Sequence, residues 1–134
     1  CAHKGSKDTI HEMLIVHDKS CYVRPHKHIN KTESFHIIEG EADILLFDEK
    51  GRIDQTIPMG SYNSGRTFFY RLPPSCYHTL LIHSDVLVFH EITNGPFRVE
   101  DTIWASWSPE ETDVDAVSRY MAKIANFTQK KILN

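Results

Sequence analysis

The chain has 134 residues, room for one domain and not for two of ordinary size. A net charge of −3 with scattered basic residues leaves no electrostatic footing for nucleic acid. No apolar run approaches the ~20 residues of a membrane-spanning helix. Nine histidines are the compositional outlier, and imidazole is a common metal ligand.

In chain order, the segment opens Cys-Ala-His-Lys, without an initiator methionine or a signal-peptide core, and is expected to belong to a longer chain. Short runs rich in Val, Ile, Phe and Tyr then predict strands at Glu12–His17, Tyr22–Arg24, Ser34–Glu39, Ala42–Phe47, Ile53–Ile57, Thr67–Leu72, Thr79–His83 and Val86–Ile92. Turn signals separate them, the clearest being the hairpin Asp48-Glu49-Lys50-Gly51. Many closely spaced short strands argue for a sandwich or closed barrel over residues 1–108. Ser108-Pro109-Glu110-Glu111 then reads as a helix start, and Val117, Tyr120, Met121, Ile124 and Phe127 make one apolar stripe. A helix over residues 109–134 is expected to pack on the barrel or on a partner subunit. Cys1, Cys21 and Cys76 form no CxxC pair, which predicts a reducing, cytoplasmic setting without disulfides.

The chemistry concentrates at His26-Lys27-His28. In extended chain these two imidazoles share a face. Glu33 follows after a span long enough to turn back, and Pro73-Pro74-Ser75-Cys76-Tyr77-His78 delivers a third histidine behind a rigid turn. Three imidazoles and one carboxylate suit a single divalent Fe, Mn, Co, Ni or Zn ion and leave coordination positions open. The imidazoles ligate only when neutral, so metal affinity is expected to fall as pH drops through about 6.5.

His26-x-His28-x4-Glu33-x6-Gly40 resembles the first cupin motif, and Pro73-x-Ser75-x-x-His78 is similar to the second, with Ser75 where glycine is usual. The motif-one leading glycine is missing, and Ile82 stands where asparagine is frequent in motif two. The resemblance implies an all-β, single-domain jelly-roll barrel holding the metal on His26, His28, Glu33 and His78, with a C-terminal α-helix added. Tyr22-Val23-Arg24-Pro25-His26-Lys27-His28, Leu45-Leu46-Phe47-Asp48, His78-Thr79-Leu80, Asn94-Gly95-Pro96-Phe97 and Trp107-Ser108-Pro109 also resemble the WbuC-type cupin metalloproteins. Those proteins are associated with clusters for bacterial surface-polysaccharide (O-antigen) sugars.

Around that core, Arg24 shares strand parity with His26 and either anchors an anionic ligand inside the barrel or sits solvated on the rim. Arg66 and Arg71 are weaker candidates for substrate binding. Phe35 and Ile37 are read as barrel lining, and His36 as outward. His83 and His90 are read as lying outside the ligand set, and His3, His11 and His17 as structural or exposed. Glu33, once engaged with metal, is not free as a base, so Tyr22 and Tyr77 are candidate proton-transfer groups.

Two functions remain open. One is a metal-dependent isomerase, epimerase or oxygenase acting on a sugar or nucleotide-sugar intermediate. The other is a metal-dependent module that binds a small anionic or sugar ligand without catalysis. Ile38 projects outward, and Ala42–Phe47 is apolar on both faces, so a homodimer is expected.

Overall fold

The computed structural model describes residues 1–132, with side chains through Gln129. Among the described residues the strands are β1 (Ile10–Asp18), β2 (His26–His28), β3 (Glu33–Glu39), β4 (Glu41–Phe47), β5 (Ile53–Gly60), β6 (Phe69–Arg71), β7 (Tyr77–Ile82), β8 (Val86–Asn94) and β9 (Thr102–Trp104), followed by helix α1 (Val114–Ile132). They form two antiparallel sheets in the orders β1-β8-β3-β6 and β5-β4-β7-β2-β9. The sheets face each other as a single-domain jelly roll with one C-terminal helix. The last two expected helix residues, 133–134, lie outside the described residues.

Strand alternation builds the interior. Phe35 and Ile37 of β3, Ile44 and Leu46 of β4, Leu80 and Ile82 of β7, and Leu87 and Phe89 of β8 point between the sheets and form one buried cluster. Leu45 and Phe47 of β4 and Tyr77 and Leu81 of β7 point the other way. They form a second cluster with Ala105 and Ile124, the latter from α1. The helix thus covers the outer face of the five-stranded sheet, and β7 is buried along its whole length.

Several local expectations shift. The run Tyr22–Arg24 forms no strand; Pro25 delays pairing, and the strand begins at His26. The strand expected over Thr67–Leu72 shortens to β6, and β9 was not foreseen. The helix starts at Val114 rather than at Pro109, because Asp113 caps it: Ala116 N–H donates to Asp113 Oδ1 at 3.0 Å. Ser108 closes the preceding turn instead, its hydroxyl donating to the Ala105 carbonyl at 2.9 Å. On α1 the inward stripe runs through Tyr120, Met121, Ile124, Ala125 and Thr128, which leaves Phe127 at its edge, 45% exposed.

Two turn positions take a left-handed backbone. Gly40, between β3 and β4, has φ +86°, and a Cβ there would sit 2.3 Å from the Val86 carbonyl oxygen. Ser75, ahead of β7, also adopts a left-handed φ of +56°. The second motif therefore keeps the backbone shape that favours glycine and imposes it on serine.

Candidate metal centre

Pairing register brings the predicted residues together from three strands. His26 on β2 lies directly across from His78 on β7, and His28 follows on the same face. Glu33 opens β3 from the facing sheet. One ring nitrogen from each of His26, His28 and His78 falls within a cluster 4.8 Å across. Glu33 Oε2 lies 3.5 Å from His28 Nε2 and 3.2 Å from His78 Nε2. Two donors each about 2.1 Å from a shared ion are separated by roughly 3 Å, so these spacings match coordination.

The outer nitrogens are already committed. His26 Nδ1–H donates to the Arg24 carbonyl at 2.8 Å, and His78 Nδ1–H donates to the Cys76 carbonyl at 3.0 Å. A carbonyl only accepts, so each Nδ1 carries the proton and each Nε2 turns a lone pair inward. His28 Nδ1 meets the Thr102 hydroxyl at 3.1 Å. Glu33 Oε2 is buried without a hydrogen-bond partner. Inward lone pairs converging on an orphaned carboxylate oxygen form a donor set that fits a divalent cation.

Electrostatics explain why the His–Glu approaches are not salt bridges. Burial, followed by the neighbouring imidazoles, holds His26 down at about 4 and His28 at about 3. Burial also lowers His78. Burial raises Glu33 to about 7. Burial and then the Glu33 charge push Glu91 to about 9. Desolvated carboxyls in one cavity cannot both ionise cheaply, so without metal the pair retains a proton at neutral pH.

The centre opens into a cavity of about 260 Å³ between the sheets, lined by His11, Met13, His17, Phe35, Phe89 and Phe97 besides the ligand set. Lys31, Glu91 and Thr93 line it as well. These polar residues were missed or dismissed, His11 and His17 having been read as structural or exposed. For Glu91 and Thr93 the signal was the parity Leu87-Phe89-Glu91-Thr93 on β8, which carries the inward face of the apolar residues on to a carboxyl and a hydroxyl.

The proposed substrate and proton-transfer residues lie elsewhere. Tyr22 donates its hydroxyl to the Pro109 carbonyl at 3.0 Å and packs edge-on against Tyr120. Tyr77 alternates with His78, so it points outward into the cluster under α1. Arg24 takes the rim position, its Nε donating to Ser108 Oγ at 3.4 Å with the guanidinium over Trp104. Arg66 pairs with Glu41 at 3.2 Å and Asp43 at 3.7 Å in a separate hollow. Arg71 is exposed in a shallow hollow beside Asn30 and Ile92. His36 is exposed, His83 meets Asp43 at 2.9 Å, and His90 approaches Glu12 at 3.9 Å, so all three stay out of the ligand set.

Comparison with solved structures agrees on the fold, a jelly roll of the cupin type. A Methanocaldococcus jannaschii protein, described as RmlC-like, of the cupin family and with a double-stranded β-helix fold, aligns at TM-score 0.51. It shares 19% identity over 66% of this chain and 72% of that one. CapF, the capsular polysaccharide assembling protein of Staphylococcus aureus, aligns at TM-score 0.58 with 17% identity, over 75% of this chain and 29% of that one. The Mn(II)-containing oxalate decarboxylase of Bacillus subtilis aligns at 0.58 with 23% identity, over 81% of this chain and 28% of that one. The chain therefore spans less than a third of the length of these last two proteins. A domain family of unknown function, DUF6016, matches residues 1–59. No curated protein matches the sequence significantly. Among the described residues no helix is long and apolar enough to cross a membrane.

Proposed function

We propose that the chain holds one divalent transition-metal ion on His26, His28, Glu33 and His78 and catalyses a proton-transfer reaction, an isomerisation or epimerisation, on a small sugar-derived molecule. The observation that carries catalysis over mere binding is Glu91. Its carboxyl lines the same cavity as Glu33, and burial together with the Glu33 charge keeps it protonated at neutral pH. A pure binding cup needs no such proton-carrying neighbour. The ion would supply Lewis-acid polarisation of a bound oxygen. Glu91 holds a proton at its carboxyl and can exchange it with that oxygen, while Phe35, Leu80 and Phe89 keep the cavity wall apolar.

The sugar assignment draws on the WbuC-type resemblance and on the shared fold with CapF. The Mn(II) decarboxylase makes manganese one candidate ion. A cavity of about 260 Å³ is at the small end for ligand sites, so it suits a sugar ring with any nucleotide left outside. The test is solvent-deuterium incorporation, followed by NMR, into free and nucleotide-linked keto-sugars. Metal-dependent incorporation that disappears in Glu91→Gln while metal content persists is expected. Saturable binding without any exchange would instead assign a binding module.

A further inference from the structure

Three buried polar atoms without partners lie in one row across the four-stranded sheet. His11 pairs with Thr93, and Thr93 pairs with Glu33, in the registers of β1, β8 and β3. His11 Nε2, Thr93 Oγ1 and Glu33 Oε2 are all buried and unbonded. Leaving one such atom unpaired costs roughly 1–3 kcal/mol, so three in one row facing one cavity mark a place where something polar sits. Glu33 is accounted for by the metal. The other two are not.

Beside them stands a cation. Lys31 is only 8% exposed and lines the same cavity. Its ammonium donates to the Asn94 carbonyl at 3.3 Å and the Pro96 carbonyl at 3.2 Å. It also lies over the Phe97 ring at 5.6 Å. An ammonium has three donors, so one remains unspent. Among the described residues no carboxylate oxygen lies within 4.0 Å of it; Glu33 turns to His28 and His78 instead. Glu33 is near enough to feel the Lys31 charge but is spent on the imidazoles, so a buried ammonium with no paired carboxylate points to an anion supplied from outside the chain.

The mouth is shaped to hold these groups in place. Asn94 ties the 30–32 loop to the end of β8: Thr32 N–H donates to Asn94 Oδ1 at 2.7 Å and Asn94 Nδ2 donates to the Asn30 carbonyl at 3.2 Å. Gly95 lets the backbone pass against His11, since a Cβ there would meet its ring at 2.8 Å. The Lys31 stem and the His11 ring are thereby fixed around Thr93.

We propose that Lys31, Thr93 and His11 form a carboxylate-binding subsite, and that the molecule taken by the metal centre is a small hydroxylated acid, such as a sugar acid. This rests on the metal-centre reading above. The carboxylate pairs with the free Lys31 donor and accepts from the Thr93 hydroxyl, while a hydroxyl or carbonyl oxygen of the same molecule faces the metal ligands.

The test measures calorimetric binding of glycolate and D-glucuronate, with ethylene glycol and D-glucose as uncharged counterparts. The proteins are metal-loaded wild type, Lys31→Met and Thr93→Val, together with metal-free wild type; metal content and melting curves check that each variant is folded. The acids should bind at least about tenfold tighter than their counterparts, and Lys31→Met should weaken them about 10- to 100-fold without changing metal content. Thr93→Val should cost the acids roughly three- to tenfold. An acid preference that survives Lys31→Met, or no acid binding to wild type at millimolar concentration, overturns the subsite. A wild type that takes up no metal yet keeps a Lys31-dependent acid preference supports the subsite and sinks the metal reading alone.

Discussion

Replacing Glu33 with glutamine tests which group makes metal binding depend on pH. From the residue types alone, three imidazoles would compete with protons near pH 6.5. In the folded chain they do not: His26 and His28 are held at about 4 and about 3 by burial and by each other. The proton that must leave above pH 4 belongs to the Glu33–Glu91 pair, with Glu33 raised by burial to about 7. At pH 5, well below that value, the pair is largely protonated, so metal affinity should lie at least about tenfold below its plateau. The slope is one proton, not three. In Glu33→Gln the plateau affinity should be lower, but the change between pH 5 and pH 8 should shrink to less than about threefold. The same shift has a sign in the metal-free protein. A carboxyl whose folded pKa is raised gives stability that is present below about 4.5 and is lost as pH rises through about 7. The depressed imidazoles act in the opposite direction in both proteins, so the reading is the difference: metal-free Glu33→Gln should gain stability relative to wild type as pH rises across that window. Competition titrations with a chromophoric chelator, with urea unfolding of the metal-free forms, measure both quantities. An unchanged pH slope in Glu33→Gln would refute the reasoning and return the proton to the imidazoles.

Other positions give sharp expectations. Ser75→Gly should stabilise by about 1 kcal/mol and raise Tm by roughly 3 °C, because a left-handed φ is strained for serine and free for glycine; no gain in calorimetry would contradict the strained loop. Ile124→Ala, which empties a site 4% exposed beneath the helix, should cost about 2–5 kcal/mol in urea unfolding. A cost under about 1 kcal/mol would mean that α1 is not fixed on the sheet. A homodimer is expected to use the outer face of the four-stranded sheet, where Leu14 and Val16 are both 63% exposed and Ile38 is 49% exposed. Light scattering should show a mass near twice 15.5 kDa that halves in Leu14→Glu/Ile38→Glu, whereas a wild-type monomer would exclude the dimer.

Much of this architecture was legible because it rests on local signals. The spacing of His26, His28 and Glu33, the Pro-Pro turn before His78, and the alternation that sends Phe35 and Ile37 inward are all short-range patterns. The two-faced apolar run of β4 also predicted an outer cover, which α1 supplies from the same chain. What failed depends on pairing between distant strands. Tyr22 and Arg24 share parity with His26 in the sequence, but Pro25 breaks the strand and both side chains leave the cavity. Glu91 and His11 enter the site because β8 lies between β1 and β3, an order that no local window contains. The helix start moved because Asp113 is as good a cap as Ser108, and Ser108 was needed to close the turn behind β9.

The central claim is that four side chains of this chain hold one metal ion, and elemental analysis tests it most directly. Wild type and His26→Ala/His78→Ala are purified in parallel, reconstituted with a mixture of divalent transition metals, desalted and assayed for metal per polypeptide, with far-UV circular dichroism alongside. The account predicts close to one equivalent in wild type and almost none in the double variant, with the β-sheet signal intact in both. Equal metal content in the two proteins, or none in reconstituted wild type, would contradict it.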